Sequence, residues 1–503
     1  MKQKNRFYTY AVLLILFFVS VLVRLPNLNR PLSRHHESNV AMVLICADTW
    51  MEKGGPSYSY YSPVQNYTNP GDLFIRYSDD AMTDRKGNRM YTSFGSGWFL
   101  MPYYFLKITR LPVEPLSIHL FSLLLELIVV LLVFRISVLV FEEEEAVPPF
   151  RSYVTVFLFL FSPGLLWYFG NGYVHEIAVL PFFLGNVLLF YGFFTGRFAL
   201  NLWNLLLYAF LMFAGILCDW LPVVWIVVTI PFALVQMKRK AAWKYFILVS
   251  VLSVVTGAGM ILYQYSSYLG LTEVVAYFKG RYQMRGISNA HASSIGNYLF
   301  HLSKNYATVY LPLLIVAGIS LIFLFLKKTD ERLSSKAKYL LIVLVLTSLL
   351  HHLLFIQFSA VHEYAVLKSA LWLVLGTAAL LPSQWNLRRT VTVGVVLLLV
   401  NVGQYCFINL PGDKSFDGAS YQTNKEAGQF IKQQALPQEY VFVNDPRSLP
   451  QLAYYSKRSV IYAASAKEAA AFLKTNTEGL QGIWFDTKNL NKSGMERFGV
   501  DRH

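Results

Sequence analysis

Apolar segments of near-bilayer length recur along this chain, and that recurrence limits the fold more than any single motif. They fall at 7–24, 117–140, 152–170, 178–195, 203–218, 220–237, 244–265, 307–326, 339–356, 366–382 and 390–409. Most approach the ~20 residues that cross hydrocarbon as a helix. In lipid each backbone N–H and C=O needs a partner within the segment, so helices are expected. The composition agrees: of 503 residues, 55 % are hydrophobic and 15 % charged, too apolar for a soluble core to hide. The expectation is a polytopic α-helical membrane protein with about eleven transmembrane helices.

The net charge of +15 does not indicate nucleic acid. Lys and Arg cluster between apolar runs, and no basic stripe accompanies a nucleic-acid motif. Lys2, Lys4 and Arg6 precede the first run, which ends in Arg24-Leu25-Pro26 without a small-residue cleavage site. It reads as a retained first span rather than a signal peptide. The three cysteines, Cys46, Cys218 and Cys406, have neither metal-knot nor disulfide spacing.

Orientation follows from the basic residues. With the N-terminus inside, the inner connections hold Arg135, Arg151, Arg197, Lys238-Arg239-Lys240, Lys244, Lys327-Lys328, Arg332, Lys336, Lys338 and Arg388-Arg389. The short outer connections hold only Lys368. Glu142 to Glu145 fall inside, but acidic residues weigh little in this rule. The segment 95–110 is apolar and short, contains Pro102, and is expected to lie on the outer leaflet. If it crossed, every later connection would change sides.

The expected organisation is a transmembrane module over 1–265 with a large first outer loop at 25–116. A second outer loop at 266–306, further spans over 307–410 and a small soluble α/β domain over 411–503 follow. In that tail, 427–434 and 466–473 read as helices and 440–443 and 482–485 as strands.

Acidic and histidine residues gather on the outer side. His35-His36-Glu37 follow the first span, with 36–52 reading as a helix that carries Asp48. His175-Glu176 precede the fourth span, Asp219 sits between the fifth and sixth, and His362-Glu363 precede the tenth. A lone acid near a membrane is usually a solvated cap. Three His-Glu pairs on one side suit general-base work or metal ligation. Arg76, Arg85, Lys86 and Arg89 lie in the first outer loop, and Lys279, Arg281, Arg285 and His291 in the second. Arginine suits phosphate through its planar fork, and equally suits anionic lipid head groups. Abundant aromatics, 16 % of residues, fit interface anchoring.

A first span followed by an acidic motif, then Tyr91-Thr92-Ser93-Phe94-Gly95-Ser96-Gly97-Trp98-Phe99, then a second acidic site after the third span, resembles the GT-C glycosyltransferases. Within them it is similar to the protein O-mannosyltransferase and lipid A aminoarabinose transferase branch (glycosyltransferase family 39-like). The resemblance covers roughly 7–240 in motifs and the rest in layout. It implies transfer of a sugar from a polyprenyl-phosphate donor to a glycan, lipid or protein acceptor on the outer face. It implies Glu37 as catalytic base, with His36 where relatives usually show aspartate, and Glu176 as the second catalytic acid. His175, Asp219, His362 and Glu363 are expected to bind substrate, and Arg281 and Arg285 to hold the donor phosphate. Some relatives bind a divalent metal; the His-Glu pairs here would permit one and require none. Membrane lipids are the other expected partners, with the chain in a bacterial inner membrane and the C-terminal domain in the periplasm. An O-antigen polymerase or ligase, using diphosphate-linked oligosaccharides, is the competing enzyme reading. A transporter is the non-enzymatic one, for which Glu126 is the clearest charge within a span.

Overall fold

A computed structural model describes residues 2–68, 70, 82–84, 87–141, 150–238, 240–267, 270–286, 292–327, 333–381, 387–409, 421–476, 480–489 and 494–499. Arg76, Arg85, Lys86, Glu142 to Glu145, Arg239, His291, Lys328 and Arg332 lie outside the described residues.

Each of the eleven apolar segments is helical. The elements are α1 (Lys2–Arg24), α2 (Ser38–Glu52), α3 (Gly97–Thr109), α4 (Pro115–Phe141), α5 (Phe150–Phe161), α6 (Pro163–Gly170), α7 (His175–Thr195), α8 (Leu202–Cys218) and α9 (Leu221–Met237). There follow α10 (Trp243–Ser266), α11 (Leu271–Arg285), α12 (Ala292–Lys327), α13 (Ser335–Leu354), α14 (Ile356–Val361), α15 (Ala370–Leu380) and α16 (Leu387–Gln404). Eight helices among the described residues are long and apolar enough to cross a membrane, and α5 with α6 forms an apolar pair of that combined length bent by 61°. Pro163 opens α6 after an extended Ser162, which explains the bend. The remaining two segments, α8 and α9, are apolar helices of 17 residues each. This is a multi-pass membrane protein.

The segment 95–110 does not cross the bundle. Its helix, α3, has 13 residues, about 20 Å, too short to span alone. The chain also returns to the end it left: His119 Nδ1, early in α4, lies 2.6 Å from the Leu28 carbonyl just past α1. Asn171, after α6, donates to the Asn27 carbonyl at 2.8 Å. The ends of α1, α6, α8, α10 and α13 and the starts of α4, α7 and α9 therefore share one end of the bundle. Arg135, Arg151, Lys238, Lys240, Lys244, Lys336 and Lys338 belong to the opposite end.

Two regions gain detail. Among its described residues, the stretch 266–306 expected as the second outer loop is largely helical. Leu271–Arg285 forms α11, and α12 starts at Ala292, fifteen residues before the apolar run. At 36 residues α12 is about 54 Å long, so its polar first turns project past the bilayer thickness. Glu126, the charge that suited a transporter, is an internal clamp. Its carboxylate lies 2.6 Å from the Arg24 guanidinium, with both side chains fully buried. Arg24 also donates to Ser20 Oγ at 2.7 Å.

The tail folds as a four-stranded sheet with helices α17 (Tyr421–Gln434), α18 (Leu449–Ser456) and α19 (Ala466–Asn476). A short β1–β2 hairpin (Met82–Thr83, Arg89–Met90) lies in the first loop. The tail's strands are β3 (Glu439–Val443), β4 (Val460–Tyr462), β5 (Gln481–Phe485) and β6 (Met495–Gly499), in the order β4-β3-β5-β6, with β6 antiparallel. All five residues of β3 are buried because both sheet faces are covered. Tyr440 and Phe442 meet Leu473 of α19, while Val441 and Val443 join the main core. Sequence reading missed α18 and β4, which are short, and β6, whose residues Met495–Gly499 are mostly exposed.

Candidate active site

Helix α18 packs on α2 and holds the loop that follows α1. Gln451 donates to the Ser33 carbonyl at 2.6 Å, and the Leu32 N–H donates to Tyr455 Oη at 2.7 Å. Arg34 pairs with Asp445 at 2.5 Å, and Lys457 with Asp48 at 2.7 Å. This grip fixes a residue that is strained: His36 has φ +59°, in the left-handed region that non-glycine residues avoid. A bulky residue held there costs of order 1–3 kcal/mol and marks a constrained position.

His36 lies half-buried beside Tyr364, with ring centres 5.0 Å apart, and His362 lies 6.0 Å away. Burial pulls the His36 imidazole down to about 4, with His35 adding to the shift. Burial and neighbouring His36 and Arg285 bring His362 to about 3. Both rings are therefore neutral near pH 7. Glu363 accepts from Tyr168 Oη at 2.8 Å and pairs with His35 Nε2 at 3.0 Å.

Behind this half-open group lies a fully buried one. His175 Nε2 is 2.8 Å from Glu176 Oε1 and 3.4 Å from Asp219 Oδ2. Lys368 Nζ reaches both acids, and His351 completes the cluster. Asp219 also caps α9, accepting the Leu221 N–H at 2.7 Å. It is therefore a buried cap, not a solvated one.

The motif Tyr91–Phe99 builds the wall in front of this cluster. Gly95 and Gly97 press on the last turn of α8, where a Cβ on either would meet Leu217 backbone atoms at 2.5 and 2.9 Å. That approach lays Phe94 flat on His175, ring centres 3.6 Å apart. Phe94 and Phe358 then face a cavity of about 540 Å³, whose other apolar walls include Trp220, Ile261, Leu262 and Phe278. Lys279, Arg281 and Arg285 of α11 line the same cavity. Arg285 lies 5.3 Å over the Phe358 ring and Arg281 5.3 Å over Tyr277.

Most of the expected site residues converge here: His36, His362, Glu363, His175, Glu176, Asp219, Arg281 and Arg285. Glu37 has other partners. Its buried carboxylate accepts the Ser33 N–H at 2.5 Å and pairs with Arg30 at 3.2 Å, and Arg30 lies over Trp167. Of these residues Arg281 and Arg285 line the cavity itself; Glu37 and the histidine and acid clusters lie outside its lining. Sequence reading passed over His351 and ranked Lys368 low. The signal was present in the His351-His352 pair ending an apolar span at the histidine-rich end.

Two trios have donor atoms within 4.8 Å of one another: His35, His36 and Glu363, and His175, Glu176 and Asp219. Two imidazoles and a carboxylate in the first form a zinc-type donor set. In the second, Lys368 already pairs with one oxygen of each carboxylate.

The arrangement of the membrane helices and the small sheet beyond them is the GT-C fold. The solved structures it is similar to are specific ones. AglB from Archaeoglobus fulgidus, an archaeal oligosaccharyltransferase in complex with an inhibitory peptide and a dolichol-phosphate, matches with TM-score 0.53 and 11 % identity, over 99 % of this chain and 75 % of its own. ArnT from Cupriavidus metallidurans bound to undecaprenyl phosphate matches with TM-score 0.57 and 10 % identity, over 95 % and 92 %. An Archaeoglobus fulgidus oligosaccharyltransferase in complex with Zn and sulfate matches with TM-score 0.55 and 12 % identity, over 94 % and 68 %. No family model and no curated protein matches the chain.

Proposed function

We propose that this protein is a membrane glycosyltransferase that moves a sugar from a polyprenyl-phosphate donor to an acceptor at the outer face of a bacterial inner membrane. The N-terminus is then cytoplasmic and the C-terminal sheet domain periplasmic, in keeping with the basic residues at the opposite end of the bundle. The observation that carries the reading is the cavity that joins apolar walls to Lys279, Arg281 and Arg285 beside the histidine and acid clusters. Its walls suit a prenyl chain and its cations a phosphate. The solved structures of this fold with dolichol-phosphate and undecaprenyl phosphate support the same class of donor.

In this reading the leaving phosphate is stabilised by Arg281 and Arg285 as charge develops on it. The proton acceptor for the acceptor group is His36, oriented beside Glu363, because these two are half-open while Glu37 and Glu176 are fully buried. Glu37, paired with Arg30, anchors the loop that presents His36. A divalent ion held by His35, His36 and Glu363 would supply Lewis-acid polarisation of the acceptor oxygen in place of proton acceptance by His36.

The test is transfer by the purified full-length protein from labelled polyprenyl-monophosphate sugars. Arg281→Ala and Arg285→Ala are each expected to raise the donor KM about 10–100-fold, the value of a lost charge-assisted hydrogen bond. Transfer only from diphosphate-linked oligosaccharides would instead select the polymerase or ligase reading.

A further inference from the structure

The trio His175, Glu176 and Asp219 has the donor spacing of a cation site. Donor spacing of this kind suits a divalent ion. The side chains around the trio point elsewhere. Lys368 Nζ stands 3.3 Å from Glu176 Oε1 and 3.0 Å from Asp219 Oδ2. It also stands 3.1 Å from His351 Nε2. All of these side chains are buried, the most exposed being His175 at 2 %. A metal ion held by the trio would sit about 2.0–2.2 Å from an oxygen of each of the same two carboxylates. It would then stand within a few ångströms of the ammonium that already pairs with Glu176 Oε1 and Asp219 Oδ2, a single and a double positive charge side by side where little water screens them. The residues present do not fit a metal while Lys368 keeps its place.

That place is built. Lys368 lies in the 3-10 turn Glu363–Ser369, and its carbonyl accepts Ser348 Oγ at 3.2 Å. Its Nζ lies 5.9 Å from the Phe94 ring centre and 5.7 Å from that of Phe358, the two rings that wall the cavity. We propose that Lys368 is a chain-borne cation standing where a divalent metal would bind, so that the Glu176–Asp219 site works without one. It is a positioning residue. By holding both acids it sets His175, and through His175 the Phe94 wall. The inference concerns cation occupancy and stands whether or not the transferred group is a sugar.

The experiment titrates the full-length protein in nanodiscs with Mn²⁺, read by electron paramagnetic resonance. Wild type and Asp219→Asn are expected to bind Mn²⁺ identically, since any ion held by the His35 trio is common to both. Lys368→Met is expected to gain one site at least tenfold tighter, lost again in Lys368→Met/Asp219→Asn. An Asp219-dependent Mn²⁺ site in wild type would overturn the proposal, as would a folded Lys368→Met protein that gains none. If Lys368→Met folds poorly, added Mn²⁺ is expected to raise its melting temperature and leave the wild-type one unchanged. Failure of that rescue counts against the proposal, and the comparison of wild type with Asp219→Asn stands by itself.

Discussion

Glu126→Ala is expected to destabilise the protein by about 3–5 kcal/mol, the usual cost of leaving a buried charge unpaired. Arg24 would keep its charge in a dry environment, with its hydrogen bonds to Ser20 remaining. Arg24→Ala strands the glutamate instead and is expected to cost a similar amount. The double change Arg24→Met/Glu126→Leu removes both charges and is expected to recover most of the loss, because apolar pairs of similar volume often replace buried ion pairs without penalty. Thermal or denaturant unfolding in a fixed detergent reads all three. A double variant no more stable than the singles would mean that the pair acts through something besides mutual neutralisation. Transport activity is not expected of any of them.

Changes at His36 are expected to have the largest effect on activity. Its removal takes away the half-open proton acceptor, a contribution typically worth about 10²–10⁴ in rate. His36→Gly, His36→Ala and His36→Gln should all lose kcat on that scale. Their stabilities should separate. Glycine adopts φ +59° without penalty, whereas alanine bears roughly 1–2 kcal/mol for it. His36→Gly should therefore melt above His36→Ala while being no more active. If the glycine variant retains wild-type kcat, the proton acceptor lies elsewhere, with Glu363 next in line.

The sequence carried the membrane class and the helical segments because apolar length and basic asymmetry are local properties. It also carried the one-ended gathering of histidines and acids, since His36, His175, Asp219 and His362 each sit at the end of an apolar run. It did not carry their pairing. Glu176, Asp219, His351 and Lys368 meet across 192 positions of sequence, and Lys368 read as an ordinary juxtamembrane base. Nor could it show that Glu37 turns toward Arg30, since that depends on the loop geometry set by α18, 418 positions away. Helix α11 went unread because charged and polar residues are mixed through it and its apolar residues form no clear stripe. The role of Gly95 and Gly97 became clear only with α8 pressed against them.

The basic, aromatic-walled cavity is the proposed seat of a lipid phosphate, and a structure of the protein determined with polyprenyl phosphate tests that placement most directly. The phosphate is expected within about 3–4 Å of the Arg281 or Arg285 guanidinium, with the prenyl chain running along Ile261, Leu262 and Phe278. A phosphate bound instead beside Arg30 and Glu37, with the α11 cavity empty, would contradict it.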